Sequence, residues 1–165
     1  MITFMRVDDR IIHGQVITRW AKEYPCDGIV VVNDKVATTP VLKQSFVAST
    51  DKKVFIWTMA DFKAKADKVY SSDKRYFLIT KNPVDMAEIL VDFGFVPNNV
   101  KELVIGPCND RPGAVKLGNN QSIIPEEAVA LEKIYKKGYK VTFALVRETA
   151  IGEWPKFRGQ FGYKD

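Results

Sequence analysis

Short apolar runs alternate with longer amphipathic stretches along the whole chain. Six runs rich in β-branched and aromatic residues are predicted to be strands: residues 2–7, 28–32, 53–57, 75–79, 102–105 and 139–146. The run GIVVV at 28–32 is apolar without interruption, which is typical of a strand buried on both faces of a parallel sheet. The pattern therefore predicts a sheet whose strands are separated by helices.

Helix start signals lie between these strands. Proline stands directly after Thr39 and Asn82, as at a first helical position, and Thr58 is a predicted N-cap. Helices are predicted over residues 14–23, from 40, over 58–70, from 83 to about 93, over 125–137 and, briefly, around 148–154, with one or two short strands in 114–124. This alternation predicts an α/β fold: a single domain with a mainly parallel β-sheet and helices on both faces. The domain is expected to cover residues 1–165, with a core over about 1–148 and a short C-terminal extension.

The composition narrows the class of protein. With 46% hydrophobic and 27% charged residues, wholesale disorder is excluded. The apolar runs are far too short to span a bilayer and no signal peptide is evident, so a cytoplasmic location is expected. Cys26 and Cys108 lie in no metal-binding spacing and there is one histidine, so neither a metal site nor a cofactor is expected. The net charge of +5 is scattered over predicted helix surfaces, and no nucleic acid is expected as a partner.

The single histidine, His13, lies in a segment crowded with charge, RVDDRIIHGQVITRW. The segment follows the first predicted strand and leads into the first helix, which is where ligands bind in open α/β sheets. The backbone N–H groups of Gly14 and Gln15 at the helix start are suited to an anion such as phosphate. Arg6 and Arg10 add donors whose planar geometry matches phosphate oxygens. The segment therefore predicts an anion-binding loop.

Two aspartates, Asp8 and Asp9, precede His13 in this segment. A carboxylate that accepts a hydrogen bond from one imidazole nitrogen fixes the tautomer and leaves the other nitrogen as a nucleophile. The arrangement suits covalent phosphoryl transfer on histidine. From the residues alone two other interpretations stay open: a surface or capping histidine, and a structural ion-pair cluster. No GxGxxG, Walker-type or GxSxG motif is present.

The histidine segment resembles the active-site segment of the IIB components of the bacterial phosphotransferase system (PTS), mannose/fructose/sorbose family. That family's pattern is approximately R-[VI]-D-[DE]-R-[LI]-[IL]-H-G-Q-V, and every position of it is met here. The similarity continues through IVVVNDKVA (29–37) and ITKNPVDMAEIL (79–90) to Val146, which is roughly nine-tenths of the chain.

The resemblance implies a protein-Npi-phosphohistidine–sugar phosphotransferase component in which His13 is phosphorylated. The protein would accept the phosphoryl group from a phosphorylated IIA protein or domain and pass it to a sugar held by the membrane components IIC and IID. It would be cytoplasmic and associated peripherally with that transporter. The family's motif includes the residues that flank the histidine: Asp8, Asp9, Arg10, Gly14 and Gln15, the last two beginning the helix whose amides hold the phosphate.

Four residues are weaker candidates. Asn33 and Asp34 match a family Asn-Asp and are expected either to line the same pocket or to form a turn and helix cap. Asn109 and Arg111 lie in GPCNDRPG, where many family members carry Gly-Gly-Met, and are either extra phosphate ligands or turn residues. The tail beyond Glu148 is also less typical and is expected to pack on the domain or, alternatively, to serve a partner interface.

Two other functions remain as alternatives. The net positive charge and the altered GPCNDRPG loop fit a non-catalytic regulatory or nucleic-acid-binding relative of the same fold, whose affinity for nucleic acid would fall steeply with salt. A stand-alone hydrolase or transferase with His13 as base would require turnover without IIA.

Overall fold

A computed structural model describes residues 1–165, and it contains nine strands. The strands are β1 (Ile2–Val7), β2 (Gly28–Val32), β3 (Lys53–Trp57), β4 (Tyr76–Thr80), β5 (Glu102–Ile105), β6 (Val115–Lys116), β7 (Ser122–Ile123), β8 (Lys140–Phe143) and β9 (Gly152–Glu153). Seven of them form one sheet in the order β3-β2-β4-β1-β5-β8-β9, while β6 and β7 form a separate antiparallel hairpin. All neighbours in the large sheet are parallel except β8 and β9.

Seven α-helices lie between these strands or, for the last of them, after the final strand. They are α1 (Gly14–Ala21), α2 (Asp34–Ala37), α3 (Pro40–Ala48), α4 (Met59–Ser71), α5 (Pro83–Ala87), α6 (Pro125–Lys136) and α7 (Trp154–Phe157). A π-helical turn (Glu88–Asp92) continues α5, and 3-10 turns lie at Arg147–Thr149 and Arg158–Phe161. The longest helix, α4, has thirteen residues and a strongly charged sequence, and none of the helices could span a lipid bilayer.

The alternation of side chains along the strands divides the interior into two clusters, one on each face of the sheet. In β2, Val30 packs in a cluster of 26 buried residues with α4, α5, α6 and α7, whereas Val31 packs in a cluster of 14 with α1. Met5 and Phe4 of β1 divide between the same two clusters. The fold class predicted from the sequence, an α/β domain with a mainly parallel sheet and helices on both faces, is confirmed.

The strand order creates a crevice between β1 and β5. The connection after β1 leads through α1 to β2 on one side of the sheet, whereas the connection after β5 leads through α6 to β8 on the other side. In open α/β sheets, ligands bind outside the carboxyl ends of the strands at this kind of switch point. The fold therefore places the loop that contains His13 at the expected position for a functional site.

The end of the chain differs from the predicted pattern. The last predicted strand, 139–146, is shorter: β8 ends at Phe143, because the chain reverses and the Ile151 amide donates back to the Phe143 carbonyl at 2.9 Å. The short helix predicted around 148–154 is wrong, since a 3-10 turn and then β9 occupy this stretch. Gly152 adopts a φ of +139°, a backbone conformation that favours glycine, where β9 begins. The short helix α2 was also missed.

The residues after Glu148 are part of the packed domain. Trp154 is fully buried against Phe143, and Phe157 lies edge-on to Phe143 at 5.2 Å between ring centroids. Arg158 forms an ion pair with Glu132 of α6. Of the two expectations for this tail, packing on the domain is the one observed, and the packed domain extends well past the predicted core boundary near residue 148.

Candidate functional site

A cleft of about 280 Å³ opens at the carboxyl ends of β1 and β5. Its walls are mostly polar and consist of Asp8, Arg10, His13, Val16, Pro107, Cys108, Asn109, Asp110, Lys116, Asn119, Asn120, Ser122 and Leu145. Four residues singled out in the sequence line this cleft together: Asp8, Arg10, His13 and Asn109. The structure therefore brings the histidine segment against the GPCNDRPG loop and the β6–β7 hairpin.

Backbone hydrogen bonds hold the loop between β1 and α1 against the end of β4 and the residues just after β5. The Asp8 amide donates to the Thr80 carbonyl at 3.0 Å, and the Asp9 amide donates to the Pro107 carbonyl at 2.9 Å. Ile11 then adopts a φ of +64° while its side chain is buried. A β-branched residue is rarely found in this conformation, and such strain clusters at functional sites. The loop is fixed in a bent conformation that ends at His13.

Arg6 lies beneath this loop and is fully buried. Its Nε donates to Asp8 Oδ2 at 3.2 Å and its Nη1 donates to the Ala144 carbonyl at 3.1 Å, while Nη2 has no partner. Burial raises the pKa of the Asp8 carboxyl, against the opposing effect of Arg6, and burial lowers the pKa of Arg6. Arg6 was predicted to bind phosphate directly, but it is shielded from the cleft and supports the loop through Asp8.

Gly106, which follows β5, makes room for the Arg6 guanidinium. A Cβ atom at this position would overlap the guanidinium group. A glycine here is therefore required by a buried arginine and not by a turn.

The two aspartates hold the loop and do not contact the imidazole. Asp8 Oδ1 accepts a hydrogen bond from the Arg10 amide at 2.9 Å, and Asp9 Oδ2 accepts one from the Asn109 amide at 2.6 Å. Asp9 Oδ1 is buried without a partner. Neither carboxylate is hydrogen-bonded to His13, so the predicted orientation of the ring by an aspartate is not seen in this structure.

His13 is half-buried and occupies the N-cap position of α1, but its side chain caps nothing. Its Nδ1 is one of only three buried side-chain nitrogen or oxygen atoms in the chain that lack a hydrogen-bond partner. The other two belong to Arg6 and Asp9, so all three lie in the histidine segment. Unsatisfied buried polar atoms are costly, so their concentration in the histidine segment distinguishes it from the rest of the chain.

The N-terminus of α1 is free to bind an anion. The first hydrogen bond of this helix runs from the Ile17 amide to the His13 carbonyl, which leaves the amides of the first turn without partners in the chain. No acidic residue lies in this turn. By contrast, α2, α4 and α5 are each capped by a side chain, from Asn33, Thr58 and Asn82. The free amides and the helix dipole together favour negative charge beside His13.

Gly14 and Gln15 face a different surface from the cleft. They line a shallow groove with Ser49 and Thr50, and a Cβ at Gly14 would lie 2.9 Å from the Ser49 carbonyl oxygen. The absence of a side chain at Gly14 lets the start of α1 pack against the end of α3. Their side chains therefore do not line the cleft, and what they offer an anion is their unpartnered backbone amides.

The side chains of Asn33, Asp34 and Arg111 form helix caps and an ion pair within the fold. The Asn33 side chain caps α2, and Asp34 Oδ1 accepts a hydrogen bond from the Met59 amide at 2.7 Å, so the helix-cap interpretation describes them. Arg111 forms an ion pair with the largely buried Glu127 and donates to the Asn109 carbonyl, and it lies outside the His13 cleft. These three are not brought together with His13.

The far wall of the cleft was not foreseen from the sequence. Lys116, Asn119 and Asn120 lie on or beside the β6–β7 hairpin, and hydrogen bonds between Cys108 and the hairpin bring them to the site. Cys108 also borders the cleft, but it is buried, and burial raises the pKa of its thiol, so the thiol is protonated and a poor nucleophile at neutral pH. Of the histidine and the cysteine at the cleft, His13 is thus the better suited to nucleophilic attack.

Comparisons with known proteins agree on one family. The sequence model described as the "PTS system sorbose subfamily IIB component" matches residues 2–164. The chain is 31% identical over 149 residues to the sorbose-specific EIIB component of Klebsiella pneumoniae, covering 88% of this chain and 87% of that one. It is 32% identical over 145 residues to the mannose-specific EIIAB component of Escherichia coli K12, covering 86% of this chain. This chain spans 43% of the length of that relative.

Solved structures show the same architecture. The IIBSor domain of the sorbose permease from Klebsiella pneumoniae superposes with a TM-score of 0.79 at 28% identity, covering 92% of this chain and 93% of that one. The structure of manxB from Thermoanaerobacter tengcongensis superposes with a TM-score of 0.80 at 27% identity, covering 92% of each chain.

Proposed function

The chain belongs to the sorbose subfamily of PTS IIB components, and from this we propose that it carries a phosphoryl group on His13 between a IIA protein and a sugar. In the first step a His13 ring nitrogen attacks the phosphorus atom of the donor's phosphohistidine, so that one P–N bond forms as another breaks. In the second step a sugar hydroxyl oxygen attacks, the P–N bond to His13 breaks, and the hydroxyl proton leaves to a base.

One observation carries this proposal: the imidazole with an unpartnered Nδ1 lies at an uncapped helix N-terminus inside a polar cleft. The implied Npi position is this Nδ1, whose lone pair no donor in the chain occupies. Since Nδ1 is buried in the resting protein, we expect the ring to turn about its Cβ–Cγ bond when the donor binds. Rotation about this bond is soft for histidine.

The electrostatics of the cleft support the same role. The phosphoryl group brings nearly two negative charges, which the free amides of α1 and the guanidinium of Arg10 can stabilise. The Arg10 side chain is exposed and forms no ion pair in the chain. Its donors therefore remain available for the phosphoryl oxygens.

The partners follow from the family and are part of the proposal. The Escherichia coli relative is named EIIAB, which supports a IIA protein or domain as the donor. The open cleft suits a carrier to which both donor and acceptor are delivered by other proteins, and we propose that the acceptor sugar is held by IIC and IID at the cytoplasmic face of the membrane. The relatives are named for mannose, sorbose and fructose, so the sugar itself is left open.

Incubation with phosphorylated IIA tests the proposal. Because His13 is the only histidine, the chain should be purified without a polyhistidine tag, so that any acid-labile, base-stable phosphate reports on this residue alone. We expect stoichiometric labelling of the wild type and none of a His13→Gln variant. Equal labelling of the variant would overturn the proposal, and so would an unlabelled wild type beside a IIB protein that the same IIA labels. Phosphate release from small phosphate esters without IIA would favour a stand-alone hydrolase.

A further inference from the structure

A second cation besides Arg10 lines the cleft that contains His13. Lys116 lies in β6, is exposed, and lines the same cleft as His13 and Arg10. Arg10 comes from the loop after β1, whereas Lys116 comes from the hairpin after β5. The two cations therefore approach the cleft from different sides of the switch point.

The hairpin that carries Lys116 is fixed to the sheet. Lys116 pairs with Ser122, whose amide donates to the Cys108 carbonyl at 2.9 Å. The Cys108 amide in turn donates to the Asn120 carbonyl at 2.8 Å, and the buried Gln121 side chain donates to the Ile105 carbonyl at the end of β5. These bonds hold the backbone of Lys116 in a constant position relative to the cleft.

No carboxylate of the cleft forms an ion pair with Lys116. Asp8 is already paired with the buried Arg6, and Asp110 accepts the Arg111 amide. No carboxylate lies within 4.0 Å of the Lys116 ammonium or of the Arg10 guanidinium. A phosphoryl group brings a charge near −2 at neutral pH, which Arg10 alone does not balance.

We propose that Lys116 is a phosphate-binding residue, whose ammonium group contacts the phosphoryl oxygens on the side of the cleft opposite Arg10. The inference rests on the proposed function of His13. In an in-line transfer the attacking and leaving atoms occupy the axis, so the three equatorial oxygens are open to donors from the sides. Arg10 and Lys116 stabilise the charge on these oxygens from two directions while the α1 amides do so from the helix end.

A Lys116→Gln variant tests this with two donors, phosphorylated IIA and the small molecule phosphoramidate. We expect His13 phosphorylation to slow by at least about tenfold with both donors, since a charge-assisted hydrogen bond is lost. Lys116→Arg should stay within about threefold of the wild type because the charge is kept. Lys137→Gln is the matched control: it removes the same charge from an exposed lysine of the α6 C-terminus and should leave both rates unchanged.

The two donors separate the possible results. Slower transfer from IIA with an unchanged phosphoramidate rate would mean that Lys116 contacts IIA and not phosphate, and would overturn the inference. Wild-type rates for Lys116→Gln with both donors would also overturn it while leaving the His13 proposal intact. If the wild type is not labelled by either donor, the proposed function itself fails. Since Lys116 is exposed, thermal unfolding should show that every variant is folded.

Discussion

Two buried arginines, Arg6 and Arg158, have contrasting surroundings. Arg158 donates through Nε and Nη2 to the two carboxylate oxygens of Glu132 and through Nη1 to Asp165, so each of its nitrogens has a partner. Arg6 has one carboxylate contact, to Asp8, and one carbonyl contact, and its Nη2 has none. The pKa of Arg158 is raised by hydrogen bonds from its Nε–H and Nη–H groups to Glu132, whereas burial lowers that of Arg6.

This difference separates the C-terminal segment from the candidate site. The C-terminal segment satisfies its buried polar groups within the chain, as structural regions generally do. The histidine segment contains every unsatisfied buried side-chain atom found, together with the positive φ of Ile11. Strain and unpaired polar groups persist only where the surrounding structure over-determines them. The Arg6–Asp8 pair supplies part of that surrounding structure.

The largest effect is expected from Arg6→Met. This substitution removes the ion-pair partner of the buried Asp8 carboxyl group, and should lower the free energy of unfolding by about 3–5 kcal/mol. Arg158→Met is the control and should cost clearly less, because the Glu132 side chain that it leaves unpaired is 13% exposed and reaches water. Urea denaturation measures both. Adding Asp8→Asn to Arg6→Met should recover part of the loss, and equal costs at positions 6 and 158 would contradict the comparison.

A smaller effect is expected from Gly106→Ala. The added methyl group overlaps a guanidinium that Asp8 and Ala144 hold in place, so we expect a loss of about 1–3 kcal/mol. Gly159→Ala is the matched control, since a Cβ there meets nothing within 4 Å. In an Arg6→Met background the cost at Gly106 should largely disappear, because neighbouring substitutions are not additive. An unchanged cost in that background would show that Arg6 is not the obstacle.

The smallest effect concerns acid stability. Hydrogen bonds from Arg158, against the opposing effect of burial, hold the pKa of Glu132 below its ordinary value of 4.5. A depressed carboxyl pKa contributes stability that is present above the unfolded value and is lost as the pH falls through the folded value. The Glu132→Gln variant should therefore be less stable than the wild type at pH 7, by less than about 1 kcal/mol. This difference in stability should shrink as the pH falls below 4.5, the ordinary pKa of the carboxyl group. Denaturation curves at pH 7 and pH 3.5 measure this, and a difference that grows in acid would refute it.

Local patterns predicted most of the fold and four of the thirteen residues that line the cleft: Asp8, Arg10, His13 and Asn109. β1, β2, β3 and β5 were predicted with their observed bounds, because apolar β-branched runs buried in a parallel sheet are continuous in sequence. β9 was missed because a two-residue strand is defined by its pairing with β8 and not by its own residues. The same limit explains Lys116, which reaches the cleft through hydrogen bonds between distant loops.

The position of Arg6 could have been inferred from the sequence. Arg6 lies two residues after Phe4 in β1, and residues two apart in a strand point to the same face of the sheet. Its side chain therefore points into the interior on the α1 face, beside Trp20. The prediction that Arg6 binds phosphate rested on its charge and did not take this two-residue periodicity into account. The role of Gly14 could not have been inferred, because only the folded chain brings Ser49 beside it.

The contact between Arg6 and Gly106 also limits how this sequence can diverge. A larger residue at position 106 is compatible with the fold only where position 6 has become smaller, and a smaller position 6 is compatible only where position 8 has lost its charge. Loss of Asp8 alone would leave Arg6 buried without its carboxylate, so positions 6 and 8 should change together, and position 106 can become larger only once position 6 has become smaller. Among homologues we expect positions 6 and 8 to vary together, and a lineage that has lost the glycine while keeping the arginine should be absent.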